Sequence, residues 1–242
     1  MLSGDYLKQA SDDNRNMVGI GLLYRQGYFS QHITKEGNQQ SQRNNQRFSL
    51  LPLQAERDEN GIWKKICINL PGRKVYAKIW RCDVGVTKLY LLDTDIDDNN
   101  PEDRQITAQL YGGGNEMRLK QEILLGIGGI RLLKEMNISA QIYHLNEGHS
   151  AFCSLERLNN YINNDRLHYN EALELVRSST LFTTHTPVPA GHDAFEEDLM
   201  RTYFTSYAQN LNLSWDDFML LGRKSNENRN DKFSVSILAI TC

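Results

Sequence analysis

In the first half of the chain, apolar and polar positions alternate as they do in strands with one buried face. Two such segments predict strands at residues 63–69 and 73–81, and the apolar run at 17–24 and the segment at 86–93 predict two more strands, one on either side. Pro71 and Gly72 separate the middle two segments and are typical turn residues, so these segments are predicted to form a hairpin. The chain over about residues 17–95 is therefore expected to be rich in β-strands.

In the second half, the apolar positions change to helical spacing. Residues 115–136 carry apolar side chains at intervals of three and four, which predicts a long helix. Strands and helices then alternate, with strands predicted at 140–145 and 180–184 and helices at 150–158 and 169–178. This alternation predicts βαβ units on a parallel sheet over about residues 115–242. The expected fold class is α/β, with the β-rich part attached as an antiparallel insertion or meander.

Five further segments of the chain carry a structural prediction. Residues 5–12 predict a helix, and the Gln/Asn/Arg-rich residues 35–46 predict a surface loop. An acidic loop is expected at 93–103 and another polar loop at 226–231. The apolar residues 233–240 are expected to form a buried element. Because neither end of the chain shows a cap or turn, the sequence favours an internal piece of a longer protein.

Composition narrows the function classes. The chain has 242 residues, a net charge of -3 and 40% hydrophobic residues, which suits one soluble domain. Without a basic excess or a long apolar run, neither nucleic acid nor a membrane is an expected partner. The four cysteines fit neither a zinc site nor a disulfide framework, so we expect free thiols in the cytoplasm.

The first candidate site follows the strand predicted at 140–145. Asn146 and Glu147 could hydrogen-bond a polyol, Gly148 would allow close approach of a ligand, and His149 opens the next helix. The alternative interpretation is helix capping by Asn146 or His149.

The second candidate site follows the strand predicted at 180–184. Thr184 and His185 come directly after it, and the two prolines and one glycine that follow fix a turn. A rigid connector with a satisfied histidine is an equally good interpretation.

Two further possibilities are weaker. The glycines at 112–114 precede a helix that carries Arg118 and Lys120, so they could cradle a phosphate, but a flexible loop facing solvent is favoured. A metal site is not expected, because the spacing does not match a known ligand motif. The potential ligands are His144, Glu147, His149, His185, His192 and Asp193.

The residues around both strand ends resemble the bacterial and archaeal branch of the α-glucan phosphorylase family. The two stretches are Tyr143-His-Leu-Asn-Glu-Gly-His-Ser-Ala-Phe152 and Phe182-Thr-Thr-His-Thr-Pro-Val-Pro-Ala-Gly-His-Asp-Ala-Phe195. Residues 3–12, 18–29 and 115–122 are similar to other stretches of the family, in the same order. Five ordered matches make chance similarity improbable.

The resemblance implies a part of the N-terminal Rossmann-like domain of a glycosyltransferase type B fold. It also implies phosphorolysis of α-1,4-glucan to glucose 1-phosphate, with pyridoxal 5'-phosphate as the cofactor. By the same resemblance, His149 belongs to the glucosyl site, with Asn146, Glu147 and Gly148 lining its turn. His185 and Arg118 are implied as further contributors to the site, with maltodextrin and phosphate as partners.

The family's cofactor lysine and phosphate-binding cations match nothing in this sequence, so residues 1–242 are expected to lack the C-terminal cofactor domain. We therefore expect the isolated chain to be inactive. The resemblance further implies a cytoplasmic, allosteric enzyme, and exposed apolar surface would favour homo-oligomers. The alternatives are a non-catalytic sugar-binding domain, the remnant of a decayed gene, or a glycogen or starch synthase-like glycosyltransferase.

Overall fold

The computed structural model of the chain describes residues 2–110, 112–185, 188, 191–225 and 231–242. The chain divides into two compact units, which are described separately. The first unit comprises Met1–Cys67 and Val75–Gln121, and the second comprises Ile68–Lys74 and Glu122–Cys242.

Helices and strands follow one another along the described residues in a mixed order. The helices are α1 (Leu2–Asp12), α2 (Asn115–Glu135), α3 (Cys153–Asn163), α4 (Tyr169–Ser178), α5 (Glu197–Asn210), α6 (Trp215–Leu220) and α7 (Val235–Thr241). The strands are β1 (Val18–Leu22), β2 (Ser30–Ile33), β3 (Gln39–Gln42), β4 (Gln54–Ala55), β5 (Lys65–Leu70), β6 (Arg73–Val84), β7 (Thr87–Asp93), β8 (Tyr143–Asn146), β9 (Thr180–Thr183), β10 (Ala194–Phe195) and β11 (Phe233–Ser234).

A five-stranded mixed sheet organises the first unit. Its order is β1-β7-β6-β4, and β5 pairs with β6. Val75, Ala77 and Ile79 alternate along β6 and are fully buried, as the apolar alternation of the sequence requires. The hairpin predicted around Gly72 is confirmed, and the φ of 72° at Gly72 is one that glycine adopts without strain.

The prediction of a purely antiparallel first part is wrong in one respect. β1 pairs with β7 in parallel, with Val18 opposite Lys88 and Leu22 opposite Leu92. Alternating apolar residues define the buried face of a strand, but they do not define which strand lies beside it. The direction of this pair could therefore not be read from the pattern.

The prediction of a loop over residues 35–46 is also wrong. Gln39–Gln42 forms β3, which pairs in antiparallel with β2. All eight residues of this two-stranded ribbon are exposed, including its one apolar residue, Ile33, so no apolar alternation marks it in the sequence. Backbone hydrogen bonds hold this ribbon without a buried face.

The acidic loop after β7 is confirmed as irregular structure with many internal bonds. Asp93 is buried and accepts hydrogen bonds from Trp80 Nε1 and Thr107 Oγ1, both at 3.2 Å. The side chain of Asn99 pairs with the backbone N–H and C=O of Tyr76, at 2.9 and 2.7 Å. These bonds satisfy polar groups that would otherwise be buried without partners.

The second unit contains the predicted βαβ arrangement. β8 and β9 pair in parallel, and α3 and α4 connect them. α4 has the predicted bounds, whereas α3 begins at Cys153 because residues 148–150 form a 3₁₀ turn. The six apolar positions that predicted α2 are all buried: Leu119, Ile123, Leu124, Ile127, Ile130 and Leu133.

Stacked aromatic rings fill the core of the second unit. Phe152 packs against Phe204 at 4.7 Å and against Phe233 at 6.3 Å between ring centroids. Phe218 lies 5.7 Å from Phe204 and 5.8 Å from Phe233. All four phenylalanines are buried, so they join α3, α5, α6 and β11 in one apolar cluster.

The apolar segment at 233–240 forms β11 and most of α7. Ser234 caps α7, accepting a hydrogen bond from the backbone N–H of Ile237 at 3.5 Å. The polar loop predicted at 226–231 lies outside the described residues except for Asp231. None of the helices described here has both the length and the apolar character needed to cross a membrane.

Candidate functional site

The carboxyl ends of β8 and β9 lie side by side in the second unit. Their register pairs Tyr143 with Thr180 and Asn146 with Thr183. Because the strands are parallel, the segments that follow them leave at the same edge, where ligands bind in open α/β sheets. The structure thus brings both candidate segments together. Residues 186, 187, 189 and 190 of the predicted proline turn lie outside the described residues.

Glu147 bonds the first segment to the second. Its Oε1 accepts from the backbone N–H of His185 at 2.6 Å, and its Oε2 accepts from Thr184 Oγ1 at 3.1 Å. Its own backbone N–H donates to the carbonyl of Thr183 at 2.8 Å. Partial burial acts to raise the pKa of Glu147, but the bonds from His185 and Thr184 outweigh it and lower the pKa.

The backbone of Glu147 is strained. Its φ of 64° and ψ of 177° fall in a region that is essentially reserved for glycine. A glutamate held there requires compensation from the surrounding bonds.

Asn146 and His185 meet at the exposed face of this edge. His185 Nε2 lies 2.8 Å from Asn146 Oδ1, and both side chains are exposed. The amide oxygen can only accept, so this contact is a hydrogen bond in the ring tautomer that carries its proton on Nε2. The capping alternative is wrong for Asn146 and His149, because residue Phe152 precedes α3 and no side chain caps it.

His144 belongs to the strand pair and has a different partner from His149. Its Nε2 lies 2.7 Å from Thr183 Oγ1. Burial, together with the nearby His185, lowers the pKa of His144.

His149 lies between two carboxyl groups. Its Nδ1 is 3.5 Å from Glu122 Oε1 and 3.4 Å from Asp193 Oδ2, and a third of its side chain is exposed. Glu122 comes from α2 and is buried. Burial raises the pKa of Glu122 to about 8, with Asp193 acting in the same direction and His149 against it.

Gly148 was predicted to allow close approach of a ligand, but it packs closely against another part of the chain. A Cβ at this position would lie 2.9 Å from Val235 Cγ2 and 3.1 Å from Ser236 Oγ. Ser236 also lies 2.8 Å from Nδ1 of His192. The start of α7 therefore supports the 146–149 turn from behind, and this packing accounts for the glycine.

The sequence of the chain is similar to those of several known enzymes. The chain is 42% identical to the maltodextrin phosphorylase of Thermococcus litoralis over 245 residues, which cover 99% of this chain. By sequence, the chain is similar to α-glucan phosphorylases along almost its whole length. It is also 42% identical over 209 residues to a glycogen phosphorylase of Mycobacterium tuberculosis and 36% identical over 203 residues to that of Aquifex aeolicus, each covering 84% of this chain.

The chain spans only about a quarter of the length of these phosphorylases, namely 28%, 24% and 29% of the three relatives. No family model matches it. These three relatives together confirm the resemblance that was found in the sequence.

The first unit contains Arg118 and Lys120, the two residues that could face a phosphate. Arg118 Nη1 is 3.5 Å from Gln121 Oε1. Lys120 is buried and lies 3.2 Å from Glu102 and 3.4 Å from Glu116, so it faces carboxylates and not solvent. Its acidic partners disfavour a phosphate cradle at Lys120.

Sequence reasoning did not single out Glu122 as a site residue, although it ends the 115–122 stretch, because it lies on a helix 27 residues before His149. Donor atoms of Glu122, His149 and Asp193 all lie within 4.8 Å of one another, so this group could hold a metal ion. The same distances suit a hydrogen-bonded network around a protonated carboxyl group. A buried acid at a helical core position is the one signal that could have marked Glu122.

Proposed function

We propose that the second unit supplies part of the glucosyl-binding site of an α-1,4-glucan phosphorylase. The observation that carries this proposal is the convergence of Asn146, Thr184 and His185 at the carboxyl edge of β8 and β9. The family resemblance supplies the substrate class. The corresponding reaction transfers a glucosyl group from α-1,4-glucan or maltodextrin to phosphate and forms glucose 1-phosphate.

The chemistry of this edge suits a neutral polyol. Amide, hydroxyl and imidazole groups offer both donors and acceptors, which hydroxyl groups of a sugar need. The strand pair beneath them is rigid, so little conformational entropy is lost when a sugar binds. We propose that His185 and Asn146 contact the sugar directly.

His149 is proposed to take part from a less exposed position. Its ring is held by Glu122 and Asp193, so one nitrogen is committed to carboxyl groups. Gly148 contributes by permitting the turn to pack against α7. Arg118 is proposed, from the resemblance alone, to contribute near the entrance of the site.

The finer fold assignment is also a proposal. The parallel pair β8–β9 with its connecting helices suits part of a Rossmann-like domain, and the family resemblance extends this to a glycosyltransferase type B arrangement. A cytoplasmic location, allosteric control and homo-oligomers are proposed on that resemblance alone.

Pyridoxal 5'-phosphate is proposed as the cofactor of the whole enzyme, but the residues of this chain do not fit it. No lysine in the sequence matches the family's cofactor lysine. The acidic groups of Asp193, beside His149, and of Glu147, bonded to the backbone of His185, would repel a phosphate. We therefore derive no step through the cofactor, and we expect no phosphorolysis by this chain alone.

A non-catalytic glucan-binding role remains the second candidate for the isolated chain. It is favoured by the same observation, since the groups proposed to face a sugar lie at that edge and their acidic neighbours, among the described residues, include Glu122, Glu147 and Asp193. The synthase-like alternative has no support, because the relatives named above are phosphorylases.

Titration of the ¹⁵N-labelled chain with maltoheptaose tests the proposal. We expect shifts confined to the backbone amides around β8 and β9, and weaker binding in His185→Ala and Asn146→Ala. Each lost hydrogen bond should weaken binding about 2- to 10-fold, as expected for a net loss of roughly 0.5–1.5 kcal/mol. His32→Ala, which changes an exposed histidine on β2, is the matched control.

The same preparations should release no glucose 1-phosphate from maltodextrin and phosphate. Unchanged affinity in both site variants would contradict the sugar-binding role. Measurable phosphorolysis would contradict the expectation that this chain lacks the catalytic groups.

A further inference from the structure

We propose that Glu147 is a positioning residue, which holds His185 in place by bonding the segment after β9 to the turn after β8. This inference deepens the proposed function and rests on it only where glucan binding is concerned. The family resemblance assigned Glu147 to the lining of a sugar-binding turn, whereas its contacts assign it a different task.

Both carboxylate oxygens of Glu147 are used within the protein. Oε1 accepts from the His185 backbone N–H at 2.6 Å, and Oε2 accepts from the Thr184 hydroxyl at 3.1 Å. Bonds to an ionised acceptor are about twice as strong as neutral ones. Each oxygen has a further lone pair, so the two bonds fix the carboxylate against Thr184 and His185 and still leave room for another donor.

The backbone of Glu147 supports the same conclusion. Its N–H donates to the carbonyl of Thr183 at 2.8 Å, which extends the β8–β9 pairing by one step. The conformation at φ 64° and ψ 177° is unfavourable for any residue with a side chain. Glycine would relieve this strain but would provide no carboxylate, so the strained glutamate is explained by its two bonds to Thr184 and His185.

The bonds of Glu147 also affect the position of the His185 imidazole ring. Glu147 fixes the backbone of His185, and Asn146 Oδ1 then accepts from Nε2 at 2.8 Å. The backbone bond and the ring bond together set the position and the protonated nitrogen of His185. Without Glu147, only the ring bond to Asn146 would remain of the two.

The test compares Glu147→Ala and Glu147→Gly with the parent chain. Both variants lose the carboxylate, but only the glycine variant also loses the strain. Long-range ¹H–¹⁵N spectra of the imidazole groups report the tautomer of His185 directly. Glu59→Ala, which removes an exposed glutamate of the first unit, is the charge-matched control.

We expect the imidazole ¹⁵N shifts of His185 to move towards those of the exposed His32 in both Glu147 variants, with His32 itself unchanged. Thr184→Val removes one of the two side-chain bonds and should give a smaller change. Thermal unfolding should differ between the alanine and glycine variants because of the strain, while their His185 spectra should agree.

A native His185 spectrum in both variants would overturn the proposal. So would a normal His185 spectrum combined with lost maltoheptaose binding, since Glu147 would then contact the sugar itself. If His185 changes as expected but the parent chain binds no maltoheptaose, the positioning role stands and the proposed glucan site fails.

Discussion

Glu122 shows at the scale of one residue how burial and neighbours act on a charged group. Its carboxyl group lies in the core side of α2, with His149 and Asp193 beside it. Desolvation favours the protonated form, and the nearby Asp193 favours it further. In the folded chain the pKa of Glu122 is about 8, compared with an ordinary value of 4.5.

This raised pKa makes stability depend on pH in a defined direction. Below about pH 4.5, Glu122 is protonated in both states. Between about pH 4.5 and 8, the unfolded chain releases this proton and the folded chain keeps it, so the contribution of Glu122 to stability falls as pH rises. Above about pH 8 the carboxyl group is ionised in both states, and the contribution of Glu122 to stability does not fall further.

We expect Glu122→Gln to remove this dependence, because glutamine is neutral at every pH and similar in shape. The free energy of unfolding of the parent chain, relative to the variant, should fall across this window by at most about 1.4 kcal/mol per pH unit. Denaturant unfolding at a series of pH values measures it. A constant difference between the two proteins would show that Glu122 ionises normally in the folded state.

At the scale of elements, the contact between α2 and α3 depends on the glycine at position 126. A Cβ there would lie 2.7 Å from the backbone nitrogen of Cys153 and 2.9 Å from the carbonyl carbon of Phe152. Those atoms belong to the start of a helix and cannot move aside as a flexible side chain could. Glycine at this position is therefore a packing requirement within a helix that otherwise disfavours it.

Gly126→Ala compares the gain in helix propensity with the cost of overpacking at this position. Alanine favours a helix by up to about 1 kcal/mol over glycine, but overpacking costs about 1–3 kcal/mol, so we expect a net loss of stability. In α1, Gly4 has nothing within 4 Å of the same added atom, so Gly4→Ala should stabilise or leave the chain unchanged. Urea unfolding of the two variants measures both signs, and a more stable Gly126→Ala would refute the packing argument.

Elements of the second unit were predictable where apolar periodicity was strong. The bounds of α4 and the six buried positions of α2 follow from spacing alone. The β2–β3 ribbon and the parallel direction of the β1–β7 pair could not be predicted in this way, because the ribbon has no buried apolar face and the pair depends on a strand far along the chain. Periodicity reports which face is buried, and it carries no information about neighbours that are far along the chain.

The candidate site was predictable in part for the same reason. Asn146 and His185 were identified because each follows an apolar strand. Their meeting required the parallel register of β8 and β9, and the role of Glu122 required the position of α2. Local motifs named the residues, whereas tertiary contacts determined which of them face each other.

At the scale of the whole molecule, the two compact units share four free cysteines equally. Cys67 and Cys82 belong to the first unit and are partly exposed, whereas Cys153 and Cys242 belong to the second unit and are buried. Burial raises the pKa of Cys153 to about 11 and that of Cys242 to about 12. The second pair is therefore both shielded and mostly protonated at neutral pH.

We expect a thiol reagent to label Cys67 and Cys82 promptly and Cys153 and Cys242 only after the second unit opens. Mass spectrometry of timed samples gives each rate, and Cys153→Ser and Cys242→Ser assign the slow sites. Equal rates at all four thiols would contradict the burial described here. If maltoheptaose binds as proposed, it should slow the labelling of the second pair alone.

The division of the four cysteine thiols between the two units has a practical consequence. Because the two thiols of the second unit are buried, their labelling rate reports how often that unit opens, and the partly exposed thiols of the first unit serve as an internal reference. No dye, tag or added tryptophan is needed to time this event. Ligands, pH and substitutions can all be ranked by how far they slow the labelling of Cys153 and Cys242.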